Sequence, residues 1–378
     1  CTVAAMRKIS EDIDWSSRLL GIVGARGVGK TTMMLQHMKE ISKGETIVMY
    51  LTLDHPLIAS SSLYEIAEKF VSKGGEALFV DEVHKYDNWS GHLKTVYDSF
   101  PKLKIVFSGS SALHLHKGKG DLSRRADIYK IPVLSFREFL EIETEQKFAP
   151  YSLNEIVSKH TEIAEAVAKK IKPLKYFGNY LEYGCYPFYL EGKQKYNSRL
   201  HNIVNQIIET DLVFINNIEG RYINKLKKLL AMISMSLPYQ PNLVKLSEAI
   251  EISRPLLYQY LEYLQEANLI YMLRPYGKGY STLIKPEKIY LDNTNFIYAL
   301  CGEKSEVGTL RETFFINQIK KTHRLEAAPT ADFLVDDKWT FEVGGKSKSA
   351  KQLKNQKNPY IVSDDLEIGI GNRIPLWL

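Results

Sequence analysis

The sequence predicts an α/β fold built on a parallel sheet, and three observations carry that prediction. Five short apolar runs, residues 19–23, 46–51, 77–80, 104–107 and 128–133, alternate with polar and helical stretches, among them residues 63–72 and 89–100. Alternation of this kind marks strand–helix units whose strands pair in parallel. A glycine-rich segment ending in Lys-Thr joins the first run to a helical stretch, and the third run ends in Asp81-Glu82, at the sheet edge where ligands collect.

The glycine-rich segment, residues 24–31, reads Gly-Ala-Arg-Gly-Val-Gly-Lys-Thr, a complete G-x-x-x-x-G-K-[ST] pattern between a strand and a helix at 31–39. Its glycines let successive backbone amides turn inward on an anion. Lys30 reaches the β- and γ-phosphates, and the Thr31 hydroxyl ligates Mg²⁺ at the positive end of the helix. Gly24, Ala25, Arg26, Gly27, Val28, Gly29, Lys30, Thr31 and Thr32 are the expected cradle for ATP or ADP. The plain alternative is a glycine turn before a helix. Asp81 is expected to hold Mg²⁺, directly or through water, and Glu82 to orient and deprotonate the attacking water. Alone, such an acidic pair reads as a solvated turn; its spacing from the loop favours the site.

The run at 104–107 leads into Ser108-Gly109-Ser110-Ser111 and brings hydroxyls beside those carboxylates. Ser108 or Ser110 is a candidate sensor of the γ-phosphate; a Ser-rich turn with a helix cap is the alternative. Residues 118–125 are rich in Gly, Lys and Arg and read as a surface loop. Arg124 or, ahead of it, Arg125 is a candidate arginine finger, in cis or from a neighbouring subunit. A solvated basic loop is the other meaning. Residues 151–217 turn helical, with Leu153, Ile156, Val157, Ile163 and Val167 on one face, and Gly184-Cys185-Tyr186-Pro187 interrupts them. That break either sets Tyr186 and Pro187 against an adenine ring or merely punctuates the helices.

Composition sets outer bounds. The chain has 378 residues, is 44% hydrophobic and 25% charged, and can hold two or three domains. No apolar run approaches the ~18 residues of a membrane helix and no signal-peptide core is visible, so a cytoplasmic protein with no membrane partner is expected. Cys1, Cys185 and Cys301 are far apart and form no C-x-x-C pair, which argues against a disulfide framework or structural zinc. The net charge of +6 is uneven: residues 221–280 carry eight Lys/Arg against four Asp/Glu, a bias toward an anionic partner.

That basic region reads as helix 243–250, a break at 251–253, helix 254–267 and a strand at 269–273. Ser253 caps the second helix, Pro255 suits its first turn, and Leu257, Tyr260, Leu261 and Leu264 form its buried stripe. Two helices, a tight turn and a strand suggest a winged helix-turn-helix presenting Arg254, Tyr258, Gln259 and Glu262, either to double-stranded DNA or to a protein partner. Farther on, runs 331–335 and 339–343 form a hairpin across Asp336-Asp337-Lys338. Pairing Val335 with Trp339 sets Asp332 opposite Glu342, as either a hard-metal site or an exposed, slightly destabilising rim, with Glu312 as a third oxygen ligand. A nuclease would also want a lysine two residues after Glu342, where Gly344 stands; Lys346 lies two further on.

Taken together, GARGVGKTT at 24–32, LFVDEVHKYDNW at 78–89, FSGSSALHL at 107–115, RRADIYKIPVLSFREFL at 124–140, GCYP at 184–187, KIYLDN at 288–293 and FEVGGKSK at 341–348 span nearly the whole chain. The sequence resembles the AAA+ ATPases of bacteria and archaea that end in a domain of unknown function. The resemblance implies a P-loop NTPase core at 1–145, a helical connector at 146–220, a winged helix at 221–280 and a restriction-endonuclease-like domain at 281–378. It also implies that Lys30, Thr31, Asp81 and Glu82 act in the usual roles and that Arg125 sits in the family's Gly-Arg position, with Arg124 here replacing the glycine. The expected protein is an ATP-binding, Mg²⁺-dependent ATPase whose nucleotide state repositions the later domains on DNA, within a homo-oligomer or with a protein partner. The alternatives are a slow, ATP-holding DNA-binding regulator and a metal-dependent nuclease using Glu312, Asp332 and Glu342.

Overall fold

A computed structural model of the chain describes residues 7–59, 61–111, 122, 124–277, 285–301, 306–345, 348, 353 and 356–378. Cys1, most of the 118–125 loop and Lys346 lie outside the described residues. The chain divides into two compact units, residues 1–133 with 203–223, and residues 134–202 with 224–378.

The first unit is a five-stranded, all-parallel sheet. Its strands are β1 (Leu19–Gly24), β2 (Val48–Thr52), β3 (Ala77–Asp81), β4 (Lys104–Ser110) and β5 (Asp127–Ile131), in the order β2-β3-β4-β1-β5. β1, β3 and most of β4 are buried along their length, which is why they read as unbroken apolar runs rather than alternating ones. Leu19, Leu78, Val80, Ile105 and Phe107 pack with Leu63 and Ala67 of helix Leu63–Ser72 and with Leu93 and Val96 of helix Trp89–Ser99. The order puts β4 between β1 and β3, with Ser110 level with Gly24. At Gly24 a side chain would meet the Ile131 carbonyl oxygen at 2.4 Å, so β5 closes directly on the start of the loop.

The second unit departs from the expected boundaries. The chain leaves the first sheet at Val133, not at 145, because the helix Phe136–Thr144 buries its aromatic face elsewhere. The Phe136 ring lies 5.2 Å from Phe177 and 5.3 Å from Tyr180, and Phe177 lies 4.8 Å from Phe314. Apart from 203–223, which belong to the first unit, the residues expected as connector, winged helix and C-terminal domain are one unit around a mixed seven-stranded sheet, ordered β12-β11-β10-β9-β8-β6-β7. These strands are β6 (Ile270–Pro275), β7 (Lys288–Leu291), β8 (Leu325–Ala327), β9 (Phe333–Val335), β10 (Trp339–Gly344), β11 (Pro359–Ser363) and β12 (Arg373–Pro375). β6 pairs antiparallel with β7 on one side and parallel with β8 on the other. Among the described residues no helix is long and apolar enough to cross a membrane.

Candidate active site

The loop after β1 behaves as its glycines suggest. Gly27 and Gly29 hold φ of 86° and 95°, the left-handed region that a side chain disfavours, and Gly29 immediately precedes helix α1 (Lys30–Ile41). Lys30 is 6% exposed and donates from Nζ to the carbonyls of Gly24 at 3.0 Å and Ala25 at 3.1 Å, which arches the loop over its own lysine. Burial lowers the pKa of this ammonium.

Thr31 Oγ1 donates to Asp81 Oδ2 at 2.8 Å, joining the head of α1 to the end of β3. The Tyr50 hydroxyl, from β2, reaches the same oxygen at 2.7 Å, and burial beside Asp81 raises that phenol well above its ordinary value. Ser108 Oγ bonds Asp81 Oδ1 and accepts the Glu82 amide at 3.2 Å. The intervening β4 therefore uses Ser108 to orient the two acids; its hydroxyl is spent and fully buried, so it is not a free phosphate sensor. Ser111, just beyond β4, is also buried, and its Oγ has no hydrogen-bond partner.

Glu82 adopts φ 55° and ψ 44°. A left-handed residue other than glycine costs on the order of 1–2 kcal/mol, and such strain clusters at functional sites. Its Oε2 is buried without a hydrogen-bond partner, 3.3 Å from His84 Nε2 and 3.8 Å from Arg26 Nη2. The side chain of Arg26, a residue of the expected cradle, donates to Asp211, from Nη2 to Oδ1 at 2.9 Å and from Nε to Oδ2 at 3.3 Å. Burial acts to raise the Asp211 pKa, but His84 and Arg26 more than offset it and hold the carboxyl below the usual range.

Other expected residues lie elsewhere. Arg125 precedes β5 and so sits at the amino edge of a parallel sheet, opposite the edge that carries the loop; it pairs with Asp98 at 3.0 Å. It does not reach the phosphate cradle of its own chain. In the second unit Pro187 opens a short 3-10 turn, Pro187–Glu191, while the Tyr186 ring is buried and its hydroxyl accepts from Asn293 at 3.1 Å. Tyr186 is a core residue, not a free stacking platform. Burial raises the Cys185 thiol to about 11, which leaves it inert.

The expected hairpin pairs Val335 with Trp339, which does bring Asp332 and Glu342 together. Each carboxylate, however, takes a backbone amide of the other strand: Asp332 Oδ2 from Val343 at 2.8 Å, and Glu342 Oε2 from Asp332 at 3.2 Å. Lys348 Nζ neutralises Glu342 Oε1 at 2.7 Å, in the space that Gly344 leaves open. Glu312 is bonded to the Tyr290 hydroxyl, stands 3.6 Å from Lys288, and has its pKa raised by burial. These acids are thus neither a metal set nor an exposed rim. Among the described residues no group of three His, Cys, Asp or Glu is placed to hold a metal ion.

A phosphate loop after β1, an acid pair after β3 and the strand between them define a P-loop NTPase fold. Residues 16–140 match the AAA domain family, and residues 174–307 match a domain of unknown function (DUF8612). The chain is 26% identical to an uncharacterized protein of Methanocaldococcus jannaschii over 93% of its own length and 80% of that protein. It is 24% identical to a second uncharacterized protein of the same organism, covering 78% of this chain and 65% of the relative. Among solved structures, the Aeropyrum pernix ORC1 protein in complex with DNA aligns with 78% of this chain and 89% of its own, at 13% identity and a TM-score of 0.33. AMPPCP-bound DnaA from Aquifex aeolicus aligns with 68% of this chain and 85% of its own, at 15% identity and a TM-score of 0.28. These last two likenesses are too loose to bear on mechanism.

Proposed function

We propose that the chain is an ATP-binding, Mg²⁺-dependent ATPase. The observation that supports this most is the meeting of Thr31 Oγ1 and Asp81 Oδ2 at 2.8 Å at the head of α1, beside the buried Lys30 ammonium. A hydroxyl and a carboxylate are hard oxygen donors that suit Mg²⁺, so Thr31 and Asp81 would hold the ion. When bound, it supplies charge neutralisation on the phosphoryl oxygens. Lys30 and the amides of residues 25–31 bind the phosphates. Glu82 Oε2, free of hydrogen bonds, takes the proton of the attacking water, and Ser108 holds the Glu82 amide so that the carboxylate faces the loop edge. Ser111, with its unpartnered hydroxyl next to the loop, replaces Ser108 as the candidate γ-phosphate contact.

Parallel measurement of ATP affinity and turnover tests this reading. Glu82→Gln should keep ATP bound and lose about 100-fold or more in kcat, whereas Lys30→Ala should lose binding itself. Unchanged turnover in the first removes Glu82 from the mechanism; unchanged affinity in the second removes the loop assignment.

A second use, on DNA, is favoured by residues 223–291. Helices Ile223–Ser234, Leu243–Ile250 and Arg254–Glu266 precede the antiparallel β6–β7 pair, and Tyr239 bridges to Ile289. This is the order of a winged helix. Arg254 and Tyr258 line one cleft with Asn242 and Lys285. Glu262, the acid on the same helix, is paired with Arg274 at 2.6 Å, so it does not repel a phosphate backbone as a bare charge. Turnover measured with and without duplex DNA decides between the two forms of this reading: acceleration supports a DNA-coupled ATPase, and slow turnover that DNA leaves unchanged supports an ATP-holding regulator.

A further inference from the structure

The buried ground behind Glu82 holds more charge than hydrolysis as described above uses. Asp211 is 2% exposed and is gripped by the Arg26 fork, while Lys85 Nζ and His84 Nε2 each stand 3.4 Å from its Oδ1. Two carboxylates, Asp211 and Glu82, lie within reach of one guanidinium. Asp211 has the two-bonded contact, which fixes the guanidinium plane, and Glu82 is left with the 3.8 Å one. Glu82 Oε2 keeps only these longer contacts, Arg26 at 3.8 Å and His84 Nε2 at 3.3 Å, and a carboxylate held that loosely is a stronger base than one locked in a forked pair.

We propose that Asp211 is a positioning residue for hydrolysis: by retaining Arg26 it keeps Glu82 Oε2 free to accept a proton from water. This rests on the ATPase reading and adds to it a residue far along the chain. If Asp211 is removed, the carboxylate closest to Arg26 is Glu82, and the guanidinium closes on the base. The placement of Asp211 comes from a single π-helical turn, Ile207–Asp211, set between helices Tyr196–Gln206 and Leu212–Asn216. Turns of this kind are rare and recur at functional sites.

The test uses the full chain and compares wild type, Asp211→Asn, Arg26→Gln with Asp211→Asn, and Glu82→Gln. For each, kcat, the dissociation constant of a fluorescent ATP analogue and the melting temperature are measured. Asp211→Asn should lose about tenfold in kcat, the scale of one impaired proton transfer, with nucleotide affinity within about twofold. The double variant should regain most of that loss, because the group that captures Glu82 is gone. A purely structural role would move affinity, kcat and melting together and would give no such recovery. Asp211→Glu covers the case in which Asp211→Asn does not fold: it keeps the charge, loosens the fork and should cost about threefold in kcat. Wild-type kcat in the folded Asp211 variant while Glu82→Gln is inactive overturns this assignment alone, as does a double variant no faster than Asp211→Asn. A wild-type protein that binds ATP without turning it over overturns both this assignment and the ATPase reading.

Discussion

The two units each gather three acids, and they treat them in opposite ways. In the first unit Asp81 is wrapped by hydroxyls from Thr31, Tyr50 and Ser108, and Asp211 is surrounded by cations, while Glu82 Oε2 has no hydrogen bond and only the longer contacts to His84 and Arg26. In the second unit all three are occupied: Asp332 and Glu342 tie their strands together, Lys348 cancels Glu342, and Glu312 is held by Tyr290 near Lys288. Proximity of carboxylates therefore says little about chemistry. The difference between the two clusters is one buried oxygen, Glu82 Oε2, that carries no hydrogen bond.

The contrast can be broken by substitution. The largest effect is expected from Asp81→Asn, which should reduce turnover by about 100-fold or more; Asp332→Asn, in the other cluster, should leave turnover unchanged. Equal losses in both would put the two clusters on the same footing. Next comes stability: Asp211→Ala leaves Arg26 and Lys85 without their buried counter-charge and should cost about 3 kcal/mol in the first unit. Amide hydrogen exchange resolved by unit is the suitable readout, since a two-unit chain need not unfold in one step.

The pH response sharpens the comparison further, because the shifts have opposite signs. Asp211 has a lowered folded pKa, so its stabilisation is fully present above the ordinary carboxylate value near ~4 and disappears as pH falls through the lower folded value. Glu312 has a raised one, so the folded state binds the extra proton and the second unit loses stability as pH rises from near ~4 through that higher value. Asp211→Asn should therefore remove a rise of exchange protection in the first unit with increasing pH, and Glu312→Gln should remove a fall in the second, each leaving the other unit's profile unchanged. The smallest effect is expected at Tyr50. Tyr50→Phe removes one hydrogen bond to Asp81, worth about 0.5–1.5 kcal/mol, and should weaken Mg²⁺-dependent turnover by severalfold without affecting nucleotide binding in EDTA.

Much of the first unit was legible because its signals are local. The loop, its helix and the acids after β3 are each contiguous in sequence, and burial on both faces makes their strands read as plain apolar runs. Asp211 was invisible: it lies 185 positions beyond the arginine it binds, in a stretch that reads as one more amphipathic helix, and a π turn leaves no periodic mark. Tyr50 looked like any aromatic strand residue. The cis reading of Arg125 fails for a simpler cause. A residue just before a strand of a parallel sheet lies at the amino edge, so the direction of β5 already separates it from the phosphates. The hairpin register at Val335 and Trp339 followed from its short loop, whereas the partners of its acids depended on Lys348 and on backbone amides, which pairing rules do not specify.

β6 carries a mechanical consequence. Bonded to β7 on one flank and β8 on the other, it welds the helix pair at 243–266 to the C-terminal strands. Those pieces cannot swing apart without tearing a ladder of backbone bonds. The tip at Arg254 and the strand ending at Pro375 therefore belong to one connected piece of the second unit.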